Sequence, residues 1–197
     1  MKNKNIIGLA SKKVKLLPHN PKWAELYRRE EKIISSALGK AIKNIQHVGS
    51  TSIQGVNSKP IIDIAIGVNS LKDAEKCIKA MEKLGYEYKY YAGIRGRRFF
   101  AKGNKSNRTF YVHIEPINGR IWKNHILFRN YLRKHKESVK EYNDIKKLLV
   151  KDYKNDCETY TTKKDPFIKK ILKKAKQEKQ FGVIALKIKP YFHVKKY

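Results

Sequence analysis

The chemistry this chain could perform begins in the stretch HVGSTSIQGVNSKPIIDIAIGV, residues 47–68. The turn Gly49-Ser50-Thr51-Ser52 offers successive backbone N–H groups and three hydroxyls. A glycine lets the backbone come close to an anion, and adjacent N–H groups make a small anion-binding concavity. Lys59 can add a point charge to a phosphate. The spacing is not that of a Walker A loop: Gly49 and Gly55 stand one residue too far apart, and no Lys-Ser/Thr pair follows Gly55. The competing reading is a structural turn capped by its Ser and Thr side chains. Asp63 interrupts an otherwise apolar strand and shares a strand face with Ile61 and small Ala65. A bare carboxylate is costly to bury, so it needs a partner. That partner is a cation at a site, with Asp63 as metal ligand or electrostatic anchor, or simply a lysine such as Lys59.

His113 and Glu115, in YVHIE, stand two residues apart and so share one strand face. Such a pair can ligate a metal or move a proton, or it can be an ordinary polar strand face. His47, just before Gly49, fits a buried, hydrogen-bonded histidine. Arg129 and Arg133 in FRNYLRKH lie at i, i+4 on one helix face, with Phe128, Tyr131 and Leu132 turned toward a core. Arg129 suits bidentate phosphate binding, or it pairs with a carboxylate such as Glu137. YTTKKDPF brings Tyr160 and Lys164 to a helix start, where an anion is welcome.

The elements that must hold these groups follow from periodicity. Pro18 and Pro21 precede an amphipathic helix over 21–39 with Trp23, Leu26, Tyr27, Ile33, Ile34, Ala37 and Leu38 inward. A short strand at 42–48 and a β-branched strand at 61–68 flank the turn. Residues 71–84 read as one helix, 86–93 and 97–103 as a hairpin, and 108–116 as a further strand. Helices are expected over 122–150 and 164–178. The alternation in VIALKIK suggests a late strand, or a loose basic extension. The fold class is α/β (α+β), a mixed sheet flanked by helices with a helical C-terminal part. The organisation is a basic segment 1–13, a domain 14–178 and a basic extension 179–197.

With 46 Lys+Arg against 17 Asp+Glu, the 197-residue chain carries a formal charge of +29. That balance favours polyanions and makes non-specific, salt-sensitive RNA binding easy, although lysine is scattered as a general compositional bias would scatter it. Hydrophobic residues at 41% supply a core and argue against disorder. Cys77 and Cys157 form no CxxC pair, so structural zinc is not expected and a reducing cytoplasm fits. The N-terminus lacks the apolar core of a secretory signal, and no stretch approaches the ~20 apolar residues of a membrane span.

The pieces HNPKW (19–23), residues 47–68, RRFF (97–100), YVHIE (111–115), FRNYLRKH (128–135), EYNDIKKLL (141–149) and YTTKKDPFI (160–168) occur in an order that resembles the GrpB family, placed in the nucleotidyltransferase superfamily. The resemblance runs over roughly residues 14–175. It implies a Gly-Ser turn, then an Asp-x-Asp/Glu strand, then a third carboxylate on a neighbouring strand. Gly49-Ser50 matches the turn and Asp63 the first carboxylate; Ala65 stands at the second and His113 at the third. Nucleotidyl transfer to a small molecule or RNA end is the reaction implied. Its ligand is a nucleotide or other phosphorylated molecule. Asp63 and His113 are the catalytic candidates, and Mg²⁺ or Mn²⁺ would be held by Asp63, His113 and Glu115. His47, the 49–52 turn, Lys59, Arg98, Arg129 and Lys164 would bind phosphate. The incomplete carboxylate set supports the alternative, a binding module that keeps the fold without the chemistry.

Overall fold

In the computed structural model, which describes residues 6–188 and side chains as far as residue 180, the alternation of the central strand sets the architecture. Along β2 (Ile62–Val68), Ile62, Ile64 and Ile66 point to one face and Asp63 and Ala65 to the other. The three isoleucines are fully buried, each contributing roughly 1.5–3 kcal/mol by burial. β2 pairs antiparallel with β1 (Asn44–Val48) and parallel with β5 (Phe110–Pro116). β4 (Arg98–Lys102) and β3 (Tyr86–Tyr88) extend the sheet on the far side of β5 by antiparallel pairing. The order is β1-β2-β5-β4-β3, a five-stranded mixed sheet.

The apolar face, with Val112, Ile114 and Phe100 beside the isoleucines, packs on α1 (Lys22–Leu38), α2 (Leu71–Lys76) and α3 (Ile78–Lys83) through Trp23, Ile34, Leu38, Ala74 and Met81. Glu30 is buried within this layer because Tyr86 Oη and Lys102 Nζ donate to it at 2.9 and 2.6 Å. The opposite face carries the polar residues and is partly covered by α4 (Arg120–Lys134), whose Trp122 packs with Val48 and Ala65. A second core joins Ile53 and Val56 of the loop before β2 to Tyr131, Leu132, Tyr142, Phe167 and Ile171. It fixes α5 (Lys136–Tyr153) and α7 (Asp165–Ile188) behind the Gly-Ser turn.

Several expected elements take another form. Residues 71–84 are two short helices, with Cys77 between them forming a turn. The span 122–150 is likewise two helices, because His135 leaves helical geometry (φ −114°, ψ 89°), stacks on Tyr131 at 3.9 Å and faces Glu137 and Glu178. A further helix, α6 (Cys157–Lys163), starts at Asp156, whose carboxylate accepts from Thr159 N–H at 3.0 Å. Ile33 is 45% exposed and so lies off the buried face of α1. The strand expected in VIALKIK is not formed as far as Ile188. α7 runs unbroken through residue 178, launched by Phe167, Ile171 and Ala175 at i, i+4 and met by no proline until Pro190. The rest of the tail, 189–197, lies outside the described residues. At the other end, Gly8 N–H donates to Pro60 O, Arg108 and Leu9 exchange backbone bonds, and Trp23 Nε1 donates to Ile6 O at 2.7 Å, so residues 6–9 lie against the domain.

Candidate functional site

The register decides which polar residues meet. Asp63 is opposite Tyr111 and Ala65 is opposite His113, so all four share the polar face of the sheet. Phe99 lies opposite His113 from the other side, its ring 5.1 Å from the imidazole and 5.3 Å from Tyr111. Positions 63, 65 and 113 are therefore neighbours, as a three-carboxylate centre requires, but only the first is a carboxylate.

The Gly49-Ser50 turn lies directly against Asp63. Gly49 has φ +65°, and a Cβ there would sit 2.9 Å from Asp63 Cβ and Cγ and closer still to Oδ2. Only glycine permits both the conformation and the approach. The following turn, Ser50–Ser52, is 3₁₀. Its hydroxyls divide in function. Thr51 Oγ1 is 3.0 Å from His47 Nε2, and Ser52 Oγ donates to Gly49 O at 2.7 Å; both residues are buried. Ser50 alone is half-exposed, beside the buried Tyr142 phenol.

Two lysines lie within electrostatic reach of Asp63, neither in an ion pair with it. Lys59 donates to Cys157 Sγ at 3.1 Å, and its charge reaches both Asp63 and Lys164. Lys164, at the α6–α7 junction, places Nζ 4.6 Å from the Tyr160 ring. Burial pulls the Lys164 ammonium down to about 8, Lys59 adds to the fall, and Asp63 opposes it. Behind them lies Lys146, 1% exposed, with Nζ donating to Asn57 O and 4.0 Å from the Tyr142 ring. Burial drives its ammonium well below the ordinary lysine value, and Lys164 drives it further. Burial by itself would raise the Asp63 carboxyl; His113 and then Lys59 outweigh it and hold Asp63 below its ordinary value. Asp63, with 30% of its side chain exposed, is an anion at neutral pH among more cations than it can balance.

His113 is 8% exposed. Its Nε2 is 3.6 Å from Asp63 Oδ1 and its Nδ1 is 2.8 Å from Arg97 Nη1. Burial lowers it to about 4 against the pull of Asp63, and His125 and Arg97 add to the fall. Arg97 is 6% exposed and was not singled out from the sequence, although period-2 counting from Phe99 puts it on this face. Glu115 does not join Asp63 and His113. It is fully buried, with Oε1 3.1 Å from His125 Nδ1 but no well-aligned hydrogen bond to either oxygen. A cavity of about 200 Å³ beyond it is lined by Leu71, Arg95, Glu115, Pro116, Arg120 and Ile121 and does not reach Asp63.

Three expected assignments are corrected by this geometry. Arg98 is on the other face of the sheet, paired with Glu75 of α2. Strand alternation sends it away from Arg97. His47 stacks on Tyr27 at 4.8 Å and ties β1 to Thr51, on the face opposite Asp63. Burial lowers it to about 3, so it serves as a neutral structural link. Arg129, 8% exposed, spends its guanidinium on Gln46 Oε1 (2.8 Å), His47 O (2.9 Å) and Asn130 Oδ1 (3.0 Å). Its neighbour Arg133 donates twice to Ser52 O, at 3.1 and 2.7 Å. These arginines brace β1 and the turn. Arg129→Ala is expected to cost about 2–3 kcal/mol, since it strands buried acceptors. In a thermal melt that is a loss of roughly 4–12 °C, with ligand affinity in the refolded variant unchanged.

The metal set Asp63, His113 and Glu115 does not fit a divalent cation. Among the described residues no three or more His, Cys, Asp or Glu side chains are grouped to hold a metal. His113 has both ring nitrogens facing protein partners and Glu115 is turned to His125. Two-metal transfer chemistry needs several oxygen donors around one spot, and Asp63 is the one carboxylate of the proposed set at that spot.

Fold and site together define an α/β protein with a five-stranded mixed sheet and a strand carboxylate, Asp63, packed against a Gly-Ser turn with two lysines in electrostatic reach. The GrpB family model, "GrpB protein", matches residues 13–174, and the chain belongs to the GrpB family. It is 36% identical to the glutamate-rich protein GrpB of Alkalihalophilus pseudofirmus over 171 residues, 85% of this chain and 98% of that one. It is 37% identical to the UPF0157 protein YqkA of Bacillus subtilis over 169 residues, 86% of this chain but 49% of that one, and so spans about half of YqkA. The crystal structure of conserved protein GrpB from Enterococcus faecalis matches with TM-score 0.77 at 32% identity, covering 84% of this chain and 99% of that one. Among the described residues no helix is long and apolar enough to cross a membrane.

Proposed function

We propose that this protein binds a phosphorylated ligand, with a nucleotide as the best-fitting class, at the cluster of Lys59, Lys164 and Ser50 beside Asp63. The observation that supports this reading is a partly exposed carboxylate, packed against the Gly-Ser turn, with Lys59 and Lys164 within electrostatic reach and neither in an ion pair with it. The charge of Lys59 adds to burial in weakening the protonated form of Lys164. An incoming phosphate removes that conflict, because each ammonium gains a charge-assisted hydrogen bond. Ser50 adds a hydroxyl and the turn adds backbone N–H groups. Asp63 sets the polarity of the site, while Cys157 Sγ and the Tyr160 ring hold the two lysines.

Binding without nucleotidyl transfer is the form of the proposal that the residues favour. Ala65 removes the second carboxylate and His113 replaces the third. A general-base role for His113 has no free lone pair to work with, since Nδ1 faces Arg97 and Nε2 faces Asp63. The charge of +29 makes RNA a natural carrier of the phosphate, and a reducing cytoplasm, which the two unpaired cysteines fit, is the compartment proposed.

The test is a thermal-shift panel on nucleic-acid-free protein with the four nucleoside triphosphates, with and without Mg²⁺ or Mn²⁺. A ligand at ~100 times its dissociation constant stabilises by about 2.7 kcal/mol. Metal-independent stabilisation by at least one triphosphate is expected, and no shift with any of them would count against the proposal. The shift also has a definite pH dependence. Lys164 holds its proton up to about 8 when folded and to 10.5 when unfolded. Between those values the unfolded chain binds more protons, so the free protein gains stability from Lys164 as pH rises. The anion needs the protonated amine, so its added stabilisation shrinks as pH rises through about 8. Melts at pH 7 and pH 9 measure both trends.

A further inference from the structure

Arg97 is buried and held from three directions. Its Nε donates to Tyr91 O at 3.1 Å, its Nη2 to Ala92 O at 3.2 Å, and its guanidinium lies 4.7 Å from the Phe99 ring centroid. The remaining nitrogen, Nη1, is 2.8 Å from His113 Nδ1. A guanidinium has five N–H donors, no acceptor, and keeps its proton in proteins. An N–H facing another N–H at that distance is repulsive, so His113 Nδ1 must present its lone pair. In a neutral imidazole the proton then sits on Nε2, and Nε2 faces the Asp63 carboxylate.

We infer that Arg97 is a positioning residue that locks His113 as the Nε2–H tautomer, a fixed donor aimed at Asp63 and closed to both metal ligation and proton abstraction. A metal needs a ring lone pair: the one on Nδ1 is taken by Arg97, and freeing the one on Nε2 requires a proton on Nδ1, which Arg97 forbids. The same chain of contacts ties the loop 90–96 to the site. Its carbonyls at Tyr91 and Ala92 orient Arg97, Arg97 orients His113, and His113 orients Asp63. Tyr90 and Ala92 hold positive φ values of 53° and 43° in that loop, a conformation that few non-glycine residues adopt. Such strain persists where surrounding contacts enforce it, and the two Arg97 bonds are contacts of that kind. The inference rests on Arg97 and His113 alone and stands whether or not a phosphorylated ligand binds.

The experiment is a two-bond proton–nitrogen correlation spectrum of the full chain labelled with ¹⁵N-histidine, with the His113 signals assigned by their loss in His113→Gln. At neutral pH the wild type is expected to show an unprotonated, pyridine-like Nδ1 and a protonated Nε2, and to keep both when Zn²⁺ is added. Asp63→Ala is expected to retain that tautomer, because Arg97 still donates to Nδ1. Arg97→Lys is expected to retain it as well, since an ammonium also only donates, whereas Arg97→Gln is expected to give a tautomer mixture. A protonated Nδ1 in the wild type would overturn the inference, as would Zn²⁺ coordination at Nε2. Loss of the tautomer in Asp63→Ala together with its full retention in Arg97→Gln would also overturn it, by assigning the lock to Asp63. Should an Arg97 variant fail to fold, the wild-type and Asp63→Ala spectra decide the matter.

Discussion

Replacing Lys59 and Lys164 together by Ala is expected to weaken triphosphate binding at least about 100-fold while leaving the protein folded. Hydrogen bonds to charged groups contribute about 1.5–3 kcal/mol each, so two lost ammonium contacts span roughly two to four decades of affinity. The fold should tolerate the change because neither lysine supports the core. Lys59 donates to Cys157 Sγ, and Lys164 is itself weakened by burial and by Lys59. Removing both relieves the repulsion between the lysines but also takes from Asp63 charges that offset its burial. The double variant should therefore melt close to the wild-type temperature in the absence of ligand, and lose the ligand-induced shift. Arg98→Ala is the matched control: it removes one positive charge on the opposite face of the sheet, and triphosphate affinity is expected to stay within a few-fold of wild type.

Gly49→Ala is expected to be the most damaging single substitution near the site. Gly49 sits at φ 65° and ψ −174°, a region essentially confined to glycine, which costs an alanine about 1–3 kcal/mol. The new methyl also meets Asp63, whose Cβ belongs to the central strand and cannot swing aside as the end of a long side chain could. Overpacking of this kind adds about 1–3 kcal/mol. A total near 3 kcal/mol corresponds to a fall of roughly 6–12 °C in melting temperature. Gly39 offers the comparison: it also has positive φ (50°), but a Cβ there meets nothing within 4 Å. Gly39→Ala should show the conformational part alone. If the two glycine variants lose equal stability, the close packing of the turn on Asp63 is not what constrains position 49.

Much of this arrangement could be read before any coordinates. β2 is legible from its β-branched residues and β5 from its alternation, which put Asp63 with Ala65 on one face and His113 with Glu115 on one face. Only the family resemblance joined Asp63, Ala65 and His113, and the register between the strands brings them to one side. The Gly-Ser turn was legible as a close-approach point. What period-2 counting could not supply was the partner of each arginine. Arg97 and Arg98 are adjacent and chemically identical, yet one side chain is buried against His113 and the other is paired with Glu75 across the sheet. Arg129 looked free because its acceptors are a glutamine side chain and a backbone carbonyl more than eighty residues away in sequence, and neither leaves a charge pattern. The breaks at Cys77 and His135 were missed for a similar reason. No Gly or Pro marks them, and the stacking of His135 on Tyr131 that accompanies the second is local geometry. In the tail, a short run of alternating apolar residues read as a strand, while the i, i+4 stripe upstream carried the helix through it as far as Ile188.

The most direct test of the central claim is a calorimetric titration of ATP, UTP, GTP and CTP into the full chain at pH 7, freed of nucleic acid and repeated with the Lys59→Ala/Lys164→Ala double variant. One saturable site for at least one triphosphate is predicted, without added metal, with affinity lost in the double variant and preserved in Arg98→Ala. The absence of saturable binding for all four, or equal affinity in wild type and double variant, would contradict a phosphate site at Lys59 and Lys164.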